Sequence, residues 1–444
     1  MQLTPKQDEV SSANTNISMI FLFLSSIVPL YALALLLNPL PLTGYILAAT
    51  FCWILSYKFP VTTLGYILAA EGLTFLTSAV FDKTLFYEGL SIIMALNGYR
   101  HSRTTNNLTN QRSPLIFLVA YFLLMIQSDL HNTLTGAIPT TAYFAALTLA
   151  LGPLQIKTKT DFNFIFCVIG LFGLFVSVWA ISVGGSYFRE HAKLGVINYG
   201  YNDANVTSHA IGLGLLVVTF AVIQSRRILT TVILATLLPV CLVALTIPVS
   251  RGAFVSLIAA TFAYIYARYN LTKKTLISAM LFGLTIWLFL VSPIGLVFLK
   301  RFSEADVATG NGRTVLQAAI LLGLSRSNAL ELLFGHGSGS AMHAIGEVIG
   351  FGSRTQYPHS SYLQISYEIG MFGLAIILAI LIYSYIRNNR SKSAESPIQC
   401  GFLIFIAVMG LQLGPIQLPF CVVPLTLAFR YFSDPSPKRK PPRS

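Results

Sequence analysis

Stretches such as FIFCVIGLFGLFVSVWAISVGG, residues 164 to 185, recur along this chain: uncharged apolar runs about as long as a bilayer crossing. A run of this kind is apolar all round rather than on one stripe, so it does not belong on the surface of a water-soluble core. Composition agrees. The 444 residues are 55% hydrophobic and 10% charged, with a mean hydropathy of +0.70, too little charge to cover a soluble domain of this size. The runs lack the short alternation of a membrane β-barrel, so the spans are predicted to be helical and the fold all-α.

About twenty residues per crossing predicts spans near residues 17–37, 42–57, 61–81, 85–99, 114–128, 134–154 and 163–184. The second half continues near 207–224, 228–248, 253–267, 275–299, 360–386, 399–413 and 417–431. The result is a polytopic protein of about 12–14 transmembrane helices, the lower number applying if two of the short runs form a re-entrant pair. The first run ends in Ala32-Leu33-Ala34, which has the spacing of a signal-peptidase site, but Leu35, Leu36 and Leu37 continue it, so it reads as a retained helix. The five cysteines lie in or beside apolar runs without CxxC spacing, and read as small hydrophobes rather than disulfides or metal ligands.

Lysine and arginine set the expected orientation. With a cytoplasmic N-terminus, 20 of the 29 fall on the inner side, so both termini are expected in the cytoplasm. Eight of the other nine sit in only three outer segments: residues 185–206, the tight turn 249–252 and the long loop 300–359. The whole of 1–444 is read as one transmembrane helical domain, with 300–359 an outer-side loop or lid and 433–444 a basic, proline-rich cytoplasmic tail. GRTVLQAAILLGL, within the long loop, has helical spacing, and FGHGSGSAM (334–342) and GFGS (350–353) signal tight turns.

The outer segments hold the residues that could carry chemistry. Arg251, in PVSRGAFVSL, opens an apolar run, where a guanidinium is costly unless it meets an anion, a lipid headgroup or water. Arg189 in SYFREH and Arg313 in GNGRTVL are loop arginines, each by itself most simply solvated. Three guanidiniums on one face of a chain sparing with charge favour an anionic ligand with several phosphate oxygens. His359 follows Pro358 and is expected in the first turn of the twelfth span, where the helix dipole keeps its ring neutral. A neutral imidazole there can act as a general base, or simply bond a lipid headgroup. His336 and His343 share the loop, but no short-spaced histidine and carboxylate pair accompanies them, so neither a metal nor another cofactor is expected. Glu71 and Glu88 read as structural carboxylates, and Glu368 is left open.

An outer-loop arginine, then SRGA at a helix mouth, then GR opening a long loop, then FGHGSG, then HSSYLQISYEIGMFG resembles the O-antigen ligase and polymerase superfamily of bacterial inner membranes. The match covers roughly residues 185 to 375; before it, the likeness is one of hydropathy alone. The resemblance implies a membrane glycosyltransferase (GT-C-like) architecture in the bacterial inner membrane, with the active site facing the periplasm. It implies a metal-independent transfer of a glycan from undecaprenyl pyrophosphate to a sugar hydroxyl. By position His359 matches the family's essential histidine and Arg251 the SRG arginine. Arg189 matches its upstream loop arginine more loosely, and Arg313 matches a recurrent GR position. A ligase acting on the lipid A core is the favoured expectation. The alternatives are a polymerase whose acceptor is a second lipid-linked repeat and, from another class, a lipid-linked oligosaccharide flippase. The expected partners are the lipid-linked donor, the glycan acceptor and membrane lipids, with no nucleic acid.

Overall fold

The computed structural model describes residues 25–26, 50–54, 56–57, 59–76, 90–93, 96–97, 112–131, 140–193, 203–225, 228–248, 250–269, 313–349, 358–391, 393–412 and 419–430. These residues form helices and no strands. In chain order the helices are α1 (Thr62–Leu76), α2 (Arg112–His131), α3 (Thr140–Gln155), α4 (Lys159–Lys193), α5 (Ala204–Gln224), α6 (Ile228–Thr246) and α7 (Arg251–Tyr269). They continue as α8 (Arg313–Arg326), α9 (Ala329–Phe334), α10 (Ser340–Ile349), α11 (Ser361–Glu368), α12 (Gly370–Arg390), α13 (Ser396–Gly410) and α14 (Pro419–Phe429). Among the described residues, four segments are long and apolar enough to cross a membrane: Lys159–Tyr187 of α4, all of α5, α6 and α12. The spans expected over 17–37, 85–99 and 275–299, and most of 42–57, fall largely or wholly outside the described residues.

The core forms where α4, α5, α7 and α13 meet. Phe220 of α5 stacks on Tyr264 of α7 with centroids 4.2 Å apart, and Phe402 of α13 lies 6.2 Å from Phe220. Gly173 of α4 and Gly214 of α5 let two backbones touch, since a Cβ on Gly173 would lie 2.2 Å from the Gly214 Cα. At the edge, α6 buries only Cys241, Ala244 and Leu245, while Ile228, Leu229, Val232 and Ile233 face outward. An apolar face of that extent is unfavourable in water and is what acyl chains would solvate. All five cysteines are free.

Two expectations need correction. The loop expected over 185–206 is shorter, because the chain kinks at Gly184 (φ 71°, ψ 172°) and then continues helical to Lys193. The span expected over 360–386 is two helices, α11 and α12, hinged at Ile369 and Gly370. The hinge comes from tertiary packing. Gly370 has φ 81°, and a Cβ there would meet the Leu333 carbonyl oxygen at 2.2 Å; a Cβ on Gly335 would meet the Glu368 carbonyl oxygen at 2.3 Å. The Gly-rich loop between α9 and α10 thus presses its backbone onto the α11–α12 joint. His336 N–H donates to the Tyr367 carbonyl and Gly337 N–H to that of Glu368, both at 2.9 Å.

Candidate functional site

Four helices begin near one another. At the start of α5, Asp203 is the N-cap, and its carboxylate accepts from the Asn205 N–H at 2.6 Å. The Asn205 side-chain oxygen accepts from Arg313 Nη2 at 2.8 Å and from Ser250 Oγ at 3.0 Å. Arg313 is the first residue of α8, and Ser250 precedes Arg251, the first residue of α7. Asn205 therefore joins the N-termini of α5, α7 and α8, and Arg251 lies close enough for its charge to act on Arg313.

His359 belongs to the same group, although not as expected. α11 begins at Ser361 with Ser360 as its N-cap, so His359 lies outside the first turn and Pro358 does not open the helix. Its backbone is left-handed, φ 49°, and among the described residues no other non-glycine residue has a positive φ. That conformation costs an L-residue about 1–2 kcal/mol, and such strain concentrates at functional sites. The half-buried ring feels both Arg313 and Asp203. Burial first, and then the Arg313 cation, push its pKa below the ordinary histidine value, with Asp203 opposing. The ring is therefore neutral at neutral pH, as expected, but burial rather than the helix dipole is the main cause.

Electrostatically the group suits an anion. Four helix N-termini bring partial positive charge to it, two guanidiniums add full charges, and Asp203 is a carboxylate whose charge reaches Arg313 and His359. Beside it, His209, wholly buried on α5, places Nδ1 2.7 Å from the Asn205 carbonyl oxygen and lies edge-on to Phe405. The charges of Arg313 and Asp203 reach it as well.

Of the sequence-derived candidates, the structure brings together Arg251, Arg313 and His359. Arg189 lies in the helical continuation of α4 beyond the kink, and its side chain is outside the described residues. His336 sits elsewhere: its Nε2 is 2.7 Å from Ser327 Oγ and its ring stacks on Tyr367 at 4.3 Å. His343 points outward from α10. Among the described residues, no three histidine, cysteine or carboxylate side chains gather as a metal site requires. Glu368 is a buried strut. Its carboxylate accepts from the N–H groups of Gly339 and Ala341 and from Gln364 Nε2 at 3.2 and 3.3 Å, while Ser338 N–H donates to the neighbouring Asp129 at 2.7 Å. These two carboxylates hold the Gly-rich loop against α2 and α11. Glu71 is buried in α1.

Sequence reasoning missed Asp203, Asn205, Ser250 and His209. The first had a readable signal, since an aspartate directly before an apolar run is a helix-start mark. No protein-family model and no curated protein matches the sequence.

Proposed function

We propose that the protein is a glycosyltransferase of the O-antigen ligase type, moving a glycan from undecaprenyl pyrophosphate to a sugar hydroxyl of the lipid A core on the periplasmic side of a bacterial inner membrane. The observation that carries this reading is the meeting of Arg251, Arg313 and a neutral His359 at four helix N-termini, beside the Asp203–Asn205 hub. An anionic leaving group and a proton acceptor are what such a transfer asks of a protein.

The acceptor oxygen attacks the anomeric carbon as His359 takes its proton. The bond from that carbon to the pyrophosphate oxygen breaks, and the released charge spreads over phosphate oxygens. Arg251 and Arg313, with Arg189 the third candidate, and the helix N-termini take up that charge where it develops. Pyrophosphate is a weak base, so it leaves without a strong general acid. A single displacement inverts the anomeric configuration.

The test is the lipopolysaccharide of a strain lacking the gene, complemented with wild type or with His359→Ala. The ligase reading expects core without O-antigen, with polymer still on undecaprenyl pyrophosphate, in both the deletion and the His359→Ala strain. Core carrying a single repeat would move the assignment to the polymerase, with the same chemistry and a lipid-linked acceptor. Full complementation by His359→Ala would remove the base and leave transport of the lipid-linked glycan as the better reading.

A further inference from the structure

At the far end of α12 from the His359 mouth, three cations on separate elements meet. The helix has 21 residues, so this end lies about 30 Å along its axis, the thickness of a bilayer core. Arg387, in the last turn of α12, donates from Nη2 to the Phe429 carbonyl at 2.7 Å, and its neighbour Asn388 donates to the Ala428 carbonyl at 2.8 Å. These two cap the end of α14. Arg430, the next residue, directs Nη2 toward the Lys157 carbonyl at 3.4 Å, and Lys157 lies in the turn between α3 and α4. All three cationic side chains are half-buried.

The acidic side chain whose charge reaches both Lys157 and Arg430 is Asp161, which also accepts from the N–H groups of Lys157 and Thr158 at 3.0 and 2.8 Å. The nearby Glu395 is paired with Lys159 at 3.3 Å, and the exposed Arg390 adds a further positive charge at this end. Burial holds the Arg430 guanidinium down to about 10, with Arg387 adding to the effect and Asp161 opposing it. Burial likewise lowers the Lys157 pKa, opposed by Asp161 and reinforced by Arg430. Arg430, repelled by Lys157 on one side and Arg387 on the other at the end of a membrane-length helix, makes a group that a multivalent anion would stabilise.

We propose that Lys157, Arg387 and Arg430 form a binding site for the phosphate of an anionic phospholipid in the leaflet opposite the His359 mouth. The headgroup bridges the ends of α12 and α14 and the α3–α4 turn, joining the last helices of the chain to earlier ones. Basic residues at such depth otherwise attract anionic lipid only diffusely, without a fixed geometry. The site is independent of the proposed glycosyl transfer.

The test is thermal unfolding of the purified full-length protein in detergent, with phosphatidylglycerol, phosphatidylcholine or inorganic phosphate added. A saturable rise of several degrees with phosphatidylglycerol alone is expected, and Arg430→Gln and Lys157→Gln should each abolish most of it while Arg390→Gln keeps it. Should Arg430→Gln fail to fold, the contrast of Lys157→Gln with Arg390→Gln decides. An equal rise with phosphatidylcholine, or loss of the rise to the same degree in Arg390→Gln, shows diffuse attraction and overturns the site. An equal rise with inorganic phosphate overturns the assignment to a lipid.

Discussion

Replacing His359 separates its ring from its backbone. At φ 49° the residue holds a conformation that costs an L side chain about 1–2 kcal/mol and glycine nothing. Glycine gives back about 0.5–1 kcal/mol through the entropy of the unfolded chain. His359→Gly should therefore be more stable than His359→Ala by up to about 1.5 kcal/mol, the reverse of the usual order of the two residues. Both variants lose the imidazole. As a general base it is worth on the order of a hundred- to ten-thousandfold in rate, or about 3–5.5 kcal/mol of barrier at about 1.4 kcal/mol per decade.

The assay pairs melting temperature in detergent with transfer from a purified lipid-linked donor, and adds donor retention as a third reading. The expected pattern is two nearly inactive proteins that both retain donor, with the glycine variant melting above the alanine one. An alanine variant clearly more stable than the glycine one, the usual order of the two residues, would refute the backbone argument. Near wild-type transfer by either would refute the base. Loss of donor by both would place His359 in the phosphate site instead.

Three further outcomes follow from the same geometry. Arg251→Lys keeps the charge but loses the planar fork, so transfer should fall sharply in the same assay, whereas a lysine variant of near-normal rate would favour a headgroup contact. Asp203→Asn keeps the N-cap of α5, since asparagine caps as well as aspartate, but removes the carboxylate that raises the His359 pKa. The base works above its pKa and is lost as pH falls through it, so the acid limb of the rate profile should move to lower pH in that variant. Gly370→Ala should destabilise by about 2 kcal/mol or more, because a positive φ of 81° and a carbonyl 2.2 Å from the new Cβ both oppose it. Limited proteolysis should then show earlier cleavage near residues 335–340.

What could be read from the sequence is what a local pattern can hold. An uncharged run as long as a bilayer crossing is either a spanning helix or nothing stable, so the spanning part of α4 (Lys159–Tyr187), α5 and α6 were predicted within a few residues. The α11–α12 hinge was not, because Gly370 sits in an apolar run and its positive φ answers to Leu333 and Gly335, which arrive from another part of the chain. The site divides in the same way. Arg251 and His359 stand out because charged or titratable groups are scarce at the mouths of apolar runs. Asn205 does not, since an asparagine at a helix start is ordinary, and its meaning comes from Ser250 and Arg313, 45 and 108 residues further on. A site built from helix N-termini has a particular kind of concealment. Each mouth carries a residue such as Asp203, Ser250 or Ser360 that reads as local punctuation, and only the convergence of the mouths turns partial charges suited to capping into a combined field suited to an anion.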